Sequence, residues 1–518
     1  MLKNGTQWWL GLILLLAVFT RSYNLWNSLM FQGDQGRDAI LVSQIFTERD
    51  LVFIGPVTSV GNMYLGPLYY YFMLPFLWLS YPSPIGPVYA MAALGVLTTY
   101  LIYRWGKVWV GEVAALFAAA VYALSANFAL YSRFSWNPNP APLISLITLW
   151  GVWLSLKKSP RYWWLVGLGI SILLQLHYVT LLVAASAGGI WVFEQLRLML
   201  AARVTKSPVK HYWQTSKELW IGTALALGIF IVSLTPLMLF DWKHEWLNAK
   251  AFQSLVFGGD TFEVQTATSP AEKLWTRIKE TDGRSLQILA EINLGKNRDL
   301  NHVVVIAVLV SLAVMLWKTR KTPQFLGLAL LAWWLFVGVV GTAFYQHSVF
   351  DHYIAYLFPI SALLYGVTLA FISGWRVAKF PVGGILAGSL LLGLAAYNVQ
   401  HWPIKSTGWT VQNIWDTSKT IHDRVQPGEK YNLVLLSESR DLDGQNYRYF
   451  LTTDPAKKPV KTEQRADADT LFIINEEKKQ FDVASLPIYE IVTFPSKIPR
   501  EVYQIPNGPE ITVLRRDK

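Results

Sequence analysis

The sequence predicts a polytopic α-helical membrane protein with about eleven spanning helices, a large first outer loop with juxtamembrane helices, and a small C-terminal α/β soluble domain. Three observations predict it. Of 518 residues, 53% are hydrophobic and only 15% are charged, whereas a soluble protein carries about 25% charged residues, so much of the surface faces something other than water. The chain holds 24 Trp and 24 Tyr, amphipathic rings that gather at the headgroup level of a bilayer. Apolar runs of spanning length recur up to about residue 400 and then stop.

Taken in order, Lys3 precedes an apolar run over 8–20. No small-x-small cleavage site follows, because the chain continues Arg21-Ser22-Tyr23-Asn24; a first spanning helix is expected here rather than a cleaved signal peptide. Runs suited to spanning lie at 8–26, 84–104, 111–132, 140–156, 162–177, 178–199, 218–240, 302–317, 324–344, 353–373 and 381–398. Several sit near the lower length limit of about 17 residues. The stretch 65–79 is shorter and contains Gly66, Pro67 and Pro75.

Charge parity decides how 65–79 is read. The loops holding Arg104 and Lys107, Lys157 to Arg161, Arg197 to Lys217, Lys318 to Lys321, and Arg376 and Lys379 carry the basic excess and belong on the cytoplasmic side. A spanning 65–79 would push all of them outside, whereas a juxtamembrane or re-entrant helix keeps them inside. The N-terminus is then cytoplasmic, and 27–83, 133–139, 241–301 and 345–352 lie outside. Residues 1–400 form the membrane domain. Residues 401–518 read as an extracytoplasmic domain with a helix near 410–424 and strands at 431–436, 470–474 and 511–514. The net charge of +11 thus reflects topology and gives no reason to expect a nucleic-acid partner. Without cysteine there is no disulfide, thiolate ligand or thiol nucleophile.

The polar residues that interrupt this pattern cluster on the outer side. The first outer loop carries Gly33-Asp34-Gln35-Gly36-Arg37-Asp38 ahead of an amphipathic stretch. Asp34 and Asp38 near a helix start either cap it, where the dipole favours negative charge, or serve as functional carboxylates on a long loop against the membrane. The turn Arg133-Phe134-Ser135-Trp136-Asn137-Pro138 reads equally as a Pro-broken hairpin with interfacial anchors. His177 falls between two apolar runs beside Gln175 and Tyr178, where an ionisable group facing a shared cavity is a site candidate. The segment Tyr345-Gln346-His347-Ser348-Val349-Phe350-Asp351-His352-Tyr353 is spaced for a divalent metal on His347, Asp351 and His352, or for an anionic headgroup. The loop 241–301, with Asp241, His244, Phe262 and Arg277, is either a cover for the site or a plain connector. Tyr69, Tyr70 and Tyr71 read first as interfacial anchors.

The succession Asp34-Gln35, Gly66-Pro67-Leu68-Tyr69-Tyr70-Tyr71, Tyr103-Arg104-Trp105, Ser132-Arg133-Phe134-Ser135-Trp136-Asn137-Pro138-Asn139, Gln175-Leu176-His177-Tyr178, Pro236 to Asp241, and His352-Tyr353 leading to Pro359 resembles the C-type (GT-C) membrane glycosyltransferases that use polyprenyl-phosphate sugars. Within these it resembles the protein O-mannosyltransferase and aminoarabinose transferase group, over most of 1–400. The resemblance implies transfer of a sugar from a polyprenyl-phosphate carrier to a lipid, glycan or protein acceptor at the outer face, with inversion and with Asp34 as base. Gln35 stands where a second carboxylate is common, and Asp38 is its only nearby substitute. The resemblance also places His177, His352 and Arg133 at the donor phosphate, and Gln35, Tyr69, Asn137, Asp241, Tyr345 and Tyr353 near sugar or acceptor. Metal dependence varies in this group, and a metal-independent reaction is expected. A transporter or flippase of a lipid-linked substrate is the rival reading. It would call for charged or helix-breaking residues at mid-membrane and an inverted repeat, neither of which is visible. A scaffold reading leaves the first-loop carboxylates unexplained.

Overall fold

The computed structural model describes residues 2–58, 63–257, 298–343, 349–402, 409–438, 441–477 and 480–516. The helices that build the membrane part are α1 (Leu2–Ser22), α2 (Gly33–Thr47), α3 (Leu68–Ser80), α4 (Ile85–Trp109), α5 (Glu112–Leu124), α6 (Ala141–Lys157), α7 (Trp163–Leu176), α8 (Leu181–Arg203), α9 (Pro208–Lys243), α10 (Leu247–Phe257), α11 (Arg298–Thr319), α12 (Gln324–Ala343), α13 (Phe358–Ser373) and α14 (Val382–His401). Among the described residues, seven helical segments are long and apolar enough to cross a membrane, and they contain α4, α8, α9, α11, α12, α13 and α14. The eleven expected runs each contain a helix, but α5, α6 and α7 have only 13, 17 and 14 residues. At ~1.5 Å rise per residue they fall short of a hydrocarbon core of ~30 Å. The stretch expected to be re-entrant is the 13-residue helix α3, interrupted by Pro75.

Packing follows from side-chain size. Helix α5 buries Ala114, Ala115, Ala118 and Ala119 where it meets α13, small residues that let two backbones close without a hydrophobic drive between them. The long helix α9 instead leaves Leu225, Leu227, Ile231 and Val232 exposed, an apolar face that suits lipid. Two buried arginines close helix ends at the same side of the bundle. Arg21 donates to the Tyr122 and Ala123 carbonyls at the end of α5, at 2.8 and 3.3 Å. Arg133 does the same for α1.

Beyond α14, helix α15 (Val411–Arg424) opens with a capping box between Thr410 and Asn413. Strand β1 (Tyr431–Leu436) leads through α16 (Gln445–Leu451) to β2 (Thr470–Asn475), followed by β3 (Pro499–Gln504) and β4 (Glu510–Arg515). The sheet order is β1-β2-β4-β3, with β1 and β2 parallel and the other pairs antiparallel. Alternate residues serve two faces. Tyr431, Leu433, Phe472, Ile474, Ile511 and Val513 join the core shared with the helices, while Val434, Leu471, Ile473 and Leu514 pack on Val483, Ile491 and Phe494. Burial of both faces explains why β1 and β2 are mostly apolar rather than alternating apolar and polar.

Candidate functional site

A cavity of about 550 Å³ lies where four helices begin or end, and its wall includes Asp34, Arg37, Trp136, Asn137, His177 and His352. Helix α6 leaves this end and runs to Lys157, α7 begins just after Arg161 and runs back to it, α8 leaves it and ends at Arg203, and α13 leaves it toward Arg376. The cavity and the basic loops therefore occupy opposite ends of the same helices.

Its acidic side is built on α2. Asp34 lies in the first turn, where the helix dipole favours it, and its side chain is 52% exposed. Arg37, one turn on, donates through Nη1 to Asp34 Oδ1 at 2.8 Å. Its Nε and Nη2 reach Asp38 Oδ1 at 3.0 and 2.8 Å. Asp38 is 1% exposed, receives a further bond from the Tyr70 hydroxyl at 3.1 Å, and keeps Oδ2 buried with no hydrogen-bond partner among the described residues. Burial pushes the Asp38 carboxyl up to about 6 against the pull of Arg37. A carboxylate whose folded pKa is raised contributes stability that is complete below the unfolded value of about 3.9 and lost as pH rises through about 6. The thermal midpoint of the purified protein should therefore carry a component that falls over that window, and Asp38→Asn should flatten it. Parent and variant profiles of identical slope would contradict this assignment.

The imidazole side comes from two helix junctions. His177 follows α7 in an extended conformation, φ −167°, and its Nδ1 accepts the Val179 N–H at 3.2 Å. With Nδ1 committed as acceptor, the neutral ring carries its proton on Nε2. His352 sits in the short turn before α13, its ring 5.5 Å from that of His177 and 4.5 Å from Trp136. The Tyr353 ring lies 4.8 Å from that of His177, tilted by 47°. Asn137 orients this corner by donating to the Leu176 carbonyl at 2.6 Å. Pro56, Val57, Thr58, Met63 and Leu65, near the bridge between Val57 and Tyr64, and Phe252 on α10 add to the wall.

The structure thus gathers Asp34, Asn137, His177, His352 and Tyr353 around one cavity and moves other expected residues out of it. Arg133 is a correction: it is 3% exposed and donates to the Thr20 and Tyr23 carbonyls, both at 2.9 Å, and to Ser28 Oγ at 2.6 Å. The unpaired carbonyls at the end of α1 have claimed the cation. Asp241 is a second correction. Its carboxylate accepts the Asn248 and Ala249 N–H groups at 2.6 and 3.2 Å, so it caps α10 and sets the helix that carries Phe252. Tyr69 is buried and bonded to Ser135 Oγ at 2.6 Å, and Gln35 lines a separate small void beside Phe31 and Met73; neither lines the cavity. Asp351 likewise lies outside the cavity wall. Tyr345 and His347 fall outside the described residues, as do Phe262 and Arg277.

Arg37 is the cavity-wall residue that sequence reasoning overlooked. Its signal was the spacing of three residues from Asp34, which on a helix brings the two side chains together. Its guanidinium also bears on a metal. Among the described residues no three His, Asp or Glu side chains converge on one point. The position between Asp34 and Asp38 is taken by a cation of the chain itself, so these carboxylates do not fit a divalent ion.

No protein-family model matches the chain, and no curated protein sequence matches it. Solved structures do. ArnT from Cupriavidus metallidurans bound to undecaprenyl phosphate superposes with a TM-score of 0.59 at 12% identity, over 99% of this chain and 98% of that one. The archaeal oligosaccharyltransferase AglB from Archaeoglobus fulgidus, in complex with an inhibitory peptide and a dolichol-phosphate, gives a TM-score of 0.52 at 12% identity over 91% of this chain and 69% of its own. The Archaeoglobus fulgidus oligosaccharyltransferase in complex with Zn and sulfate gives a TM-score of 0.54 at 11% identity, over 90% of this chain and 68% of that one. The fold is GT-C-like. It is a multi-pass membrane architecture with a C-terminal sheet domain.

Proposed function

We propose that this protein is a membrane glycosyltransferase that moves a sugar from a polyprenyl-phosphate carrier to an acceptor hydroxyl or amine at the extracytoplasmic face of the cell membrane. The observation that carries the reading is the convergence of Asp34, His177 and His352 on one cavity at the helix ends remote from the basic loops. By the positive-inside rule those loops are cytoplasmic, which puts the cavity, the N-terminus' opposite face and the domain 401–518 outside. The carriers named with the similar structures, undecaprenyl phosphate and dolichol-phosphate, are the donor class this reading assigns here.

In the reaction the acceptor oxygen or nitrogen attacks the anomeric carbon, the bond from that carbon to the phosphate oxygen breaks, and polyprenyl phosphate leaves. Asp34 takes the acceptor's proton, which requires approach within about 3 Å. Arg37 holds the Asp34 carboxylate in place through its Nη1 donor. His177, through Nε2–H, and His352 stabilise charge building on the phosphate. Trp136 and Tyr353 offer flat apolar faces beside these rings. A single displacement inverts the configuration at the anomeric carbon. The test is turnover of a labelled polyprenyl-phosphate sugar by the purified protein, with the product's anomeric configuration determined. Inversion is expected; retention, which needs a covalent enzyme intermediate, would reject this mechanism.

A further inference from the structure

Helix α2 presents two faces with different duties. Asp34, Arg37 and Asp38 form one, and Gly33 and Gly36, three residues apart, form the other. The glycine face lies directly on the C-terminal domain. A Cβ at Gly36 would stand 2.4 Å from the Gln445 carbonyl oxygen and 2.5 Å from the Asn446 backbone nitrogen and Cα, and one at Gly33 would stand 2.2 Å from Asp441 Oδ2. Backbone atoms cannot move aside as a side-chain tip can, so only glycine lets α2 sit at this depth.

The partner surface is itself fixed. Asp441 accepts the Gln445 N–H at 2.9 Å, and Arg448 donates through Nε to the Asp443 carbonyl at 2.8 Å and through Nη2 to Asn432 on β1. Arg465 ties Asp443 to Glu490 at 2.7 and 2.5 Å. Around α2 the domain also grips the membrane part. Trp26 Nε1 donates to Gln412 Oε1 at 2.7 Å, Val411 N–H to the Leu29 carbonyl at 2.8 Å, the Tyr449 hydroxyl to the Pro82 carbonyl at 3.0 Å, and Phe31 packs edge-on to Tyr449 at 5.6 Å. Burial raises the Asp441 carboxyl's pKa, and the charges of Asp443 and Asp34 add to it, which places the domain's acidic loop within electrostatic reach of the proposed base.

We infer that the C-terminal domain is a positioning element for the reaction, and that segment 441–449, seated on Gly33 and Gly36, sets the depth and rotation of the helix that carries Asp34 and Arg37. The inference rests on the transferase reading above. It also gives the domain a role beyond that reading, since segment 441–449 holds the acid side of the cavity while the imidazole side hangs from α7 and α13. A misplacement of about 1 Å in reacting groups costs on the order of 100-fold in rate.

The test compares Gly36→Ala with Asp34→Asn in the full-length protein, measuring kcat, donor KM and binding of polyprenyl phosphate. Gly36→Ala is expected to bind polyprenyl phosphate like the parent and keep KM for the donor within about 2-fold, while kcat falls about 100-fold. A role limited to stability would lower the active fraction and leave the kcat of the remaining folded protein unchanged. If Gly36→Ala fails to bind the lipid, Tyr449→Phe replaces it; that variant loosens the grip without added bulk, and a drop in kcat at unchanged KM supports the inference. Parent-like kcat in Gly36→Ala, or in Tyr449→Phe where it stands in, overturns it. Full activity in Asp34→Asn overturns instead the transferase mechanism on which it rests.

Discussion

Asp34→Asn is expected to lower transfer by 10²–10⁴-fold, the range lost when a positioned general base is removed, with little change in affinity for the donor lipid. Asparagine keeps the size and one acceptor oxygen of the side chain, so the bond from Arg37 Nη1, 2.8 Å in the parent, can be preserved. What disappears is the capacity to take a proton. Of the two carboxylates held by Arg37, only Asp34 can perform this task, because Asp38 is 1% exposed and does not line the cavity. Asp38 has the complementary duty of anchoring the guanidinium from beneath, where a buried charge must be paired. Asp38→Asn should thus act mainly on stability and its pH dependence, and Asp34→Asn on turnover. Parallel measurement of rate and thermal midpoint in both variants separates the two roles. Undiminished turnover in Asp34→Asn removes the base from the mechanism.

Much of this arrangement was legible in the sequence because a membrane makes polarity informative. Every apolar run announced a helix, and His177 stood out since a polar residue closing such a run has a high desolvation cost. The strands were visible as β-rich apolar segments at 431–436, 470–474 and 511–514, whereas β3, with Pro499, Arg500 and Glu501 exposed at the sheet edge, had no apolar pattern to betray it. The failures share one cause. Arg133 and Asp241 are charged residues on the expected side, but helix ends claimed both. Which carbonyls lie near Arg133 depends on a contact spanning more than a hundred residues, from Thr20 and Tyr23 to the second outer turn. No local spacing encodes that. Arg37 was overlooked for the reverse reason, since an Asp-x-x-Arg pair on a helix looks like an ordinary solvated ion pair until the surrounding cavity is known. The packing of Gly33 and Gly36 on the domain after 400 was equally invisible, because it joins the two most distant parts of the chain.

Replacing His177 or His352 with Phe should reduce binding of polyprenyl phosphate about 10–100-fold, the worth of one hydrogen bond to a charged group at roughly 1.5–3 kcal/mol. Phenylalanine retains the flat ring that Trp136 meets 4.5 Å from His352 and Tyr353 meets 4.8 Å from His177, so packing survives while donors are lost. The His177 ring is already aimed by the Val179 N–H at Nδ1, and His177→Asn would lose that orientation as well as the Nε2 donor. With ring centroids 5.5 Å apart, the two imidazoles can reach oxygens of one phosphate, and groups serving a single charge are not independent. The double variant should therefore lose less than the product of the single losses. Transfer should fall further than binding in each case, because the phosphate gains charge as the anomeric bond breaks and its donors tighten in the transition state. Asp34→Asn should leave binding intact, so the acid and imidazole sides of the cavity are separable by titration with the lipid phosphate alone. Parent-like affinity in both single variants and the double variant would place the phosphate elsewhere and leave the two histidines as mere wall residues.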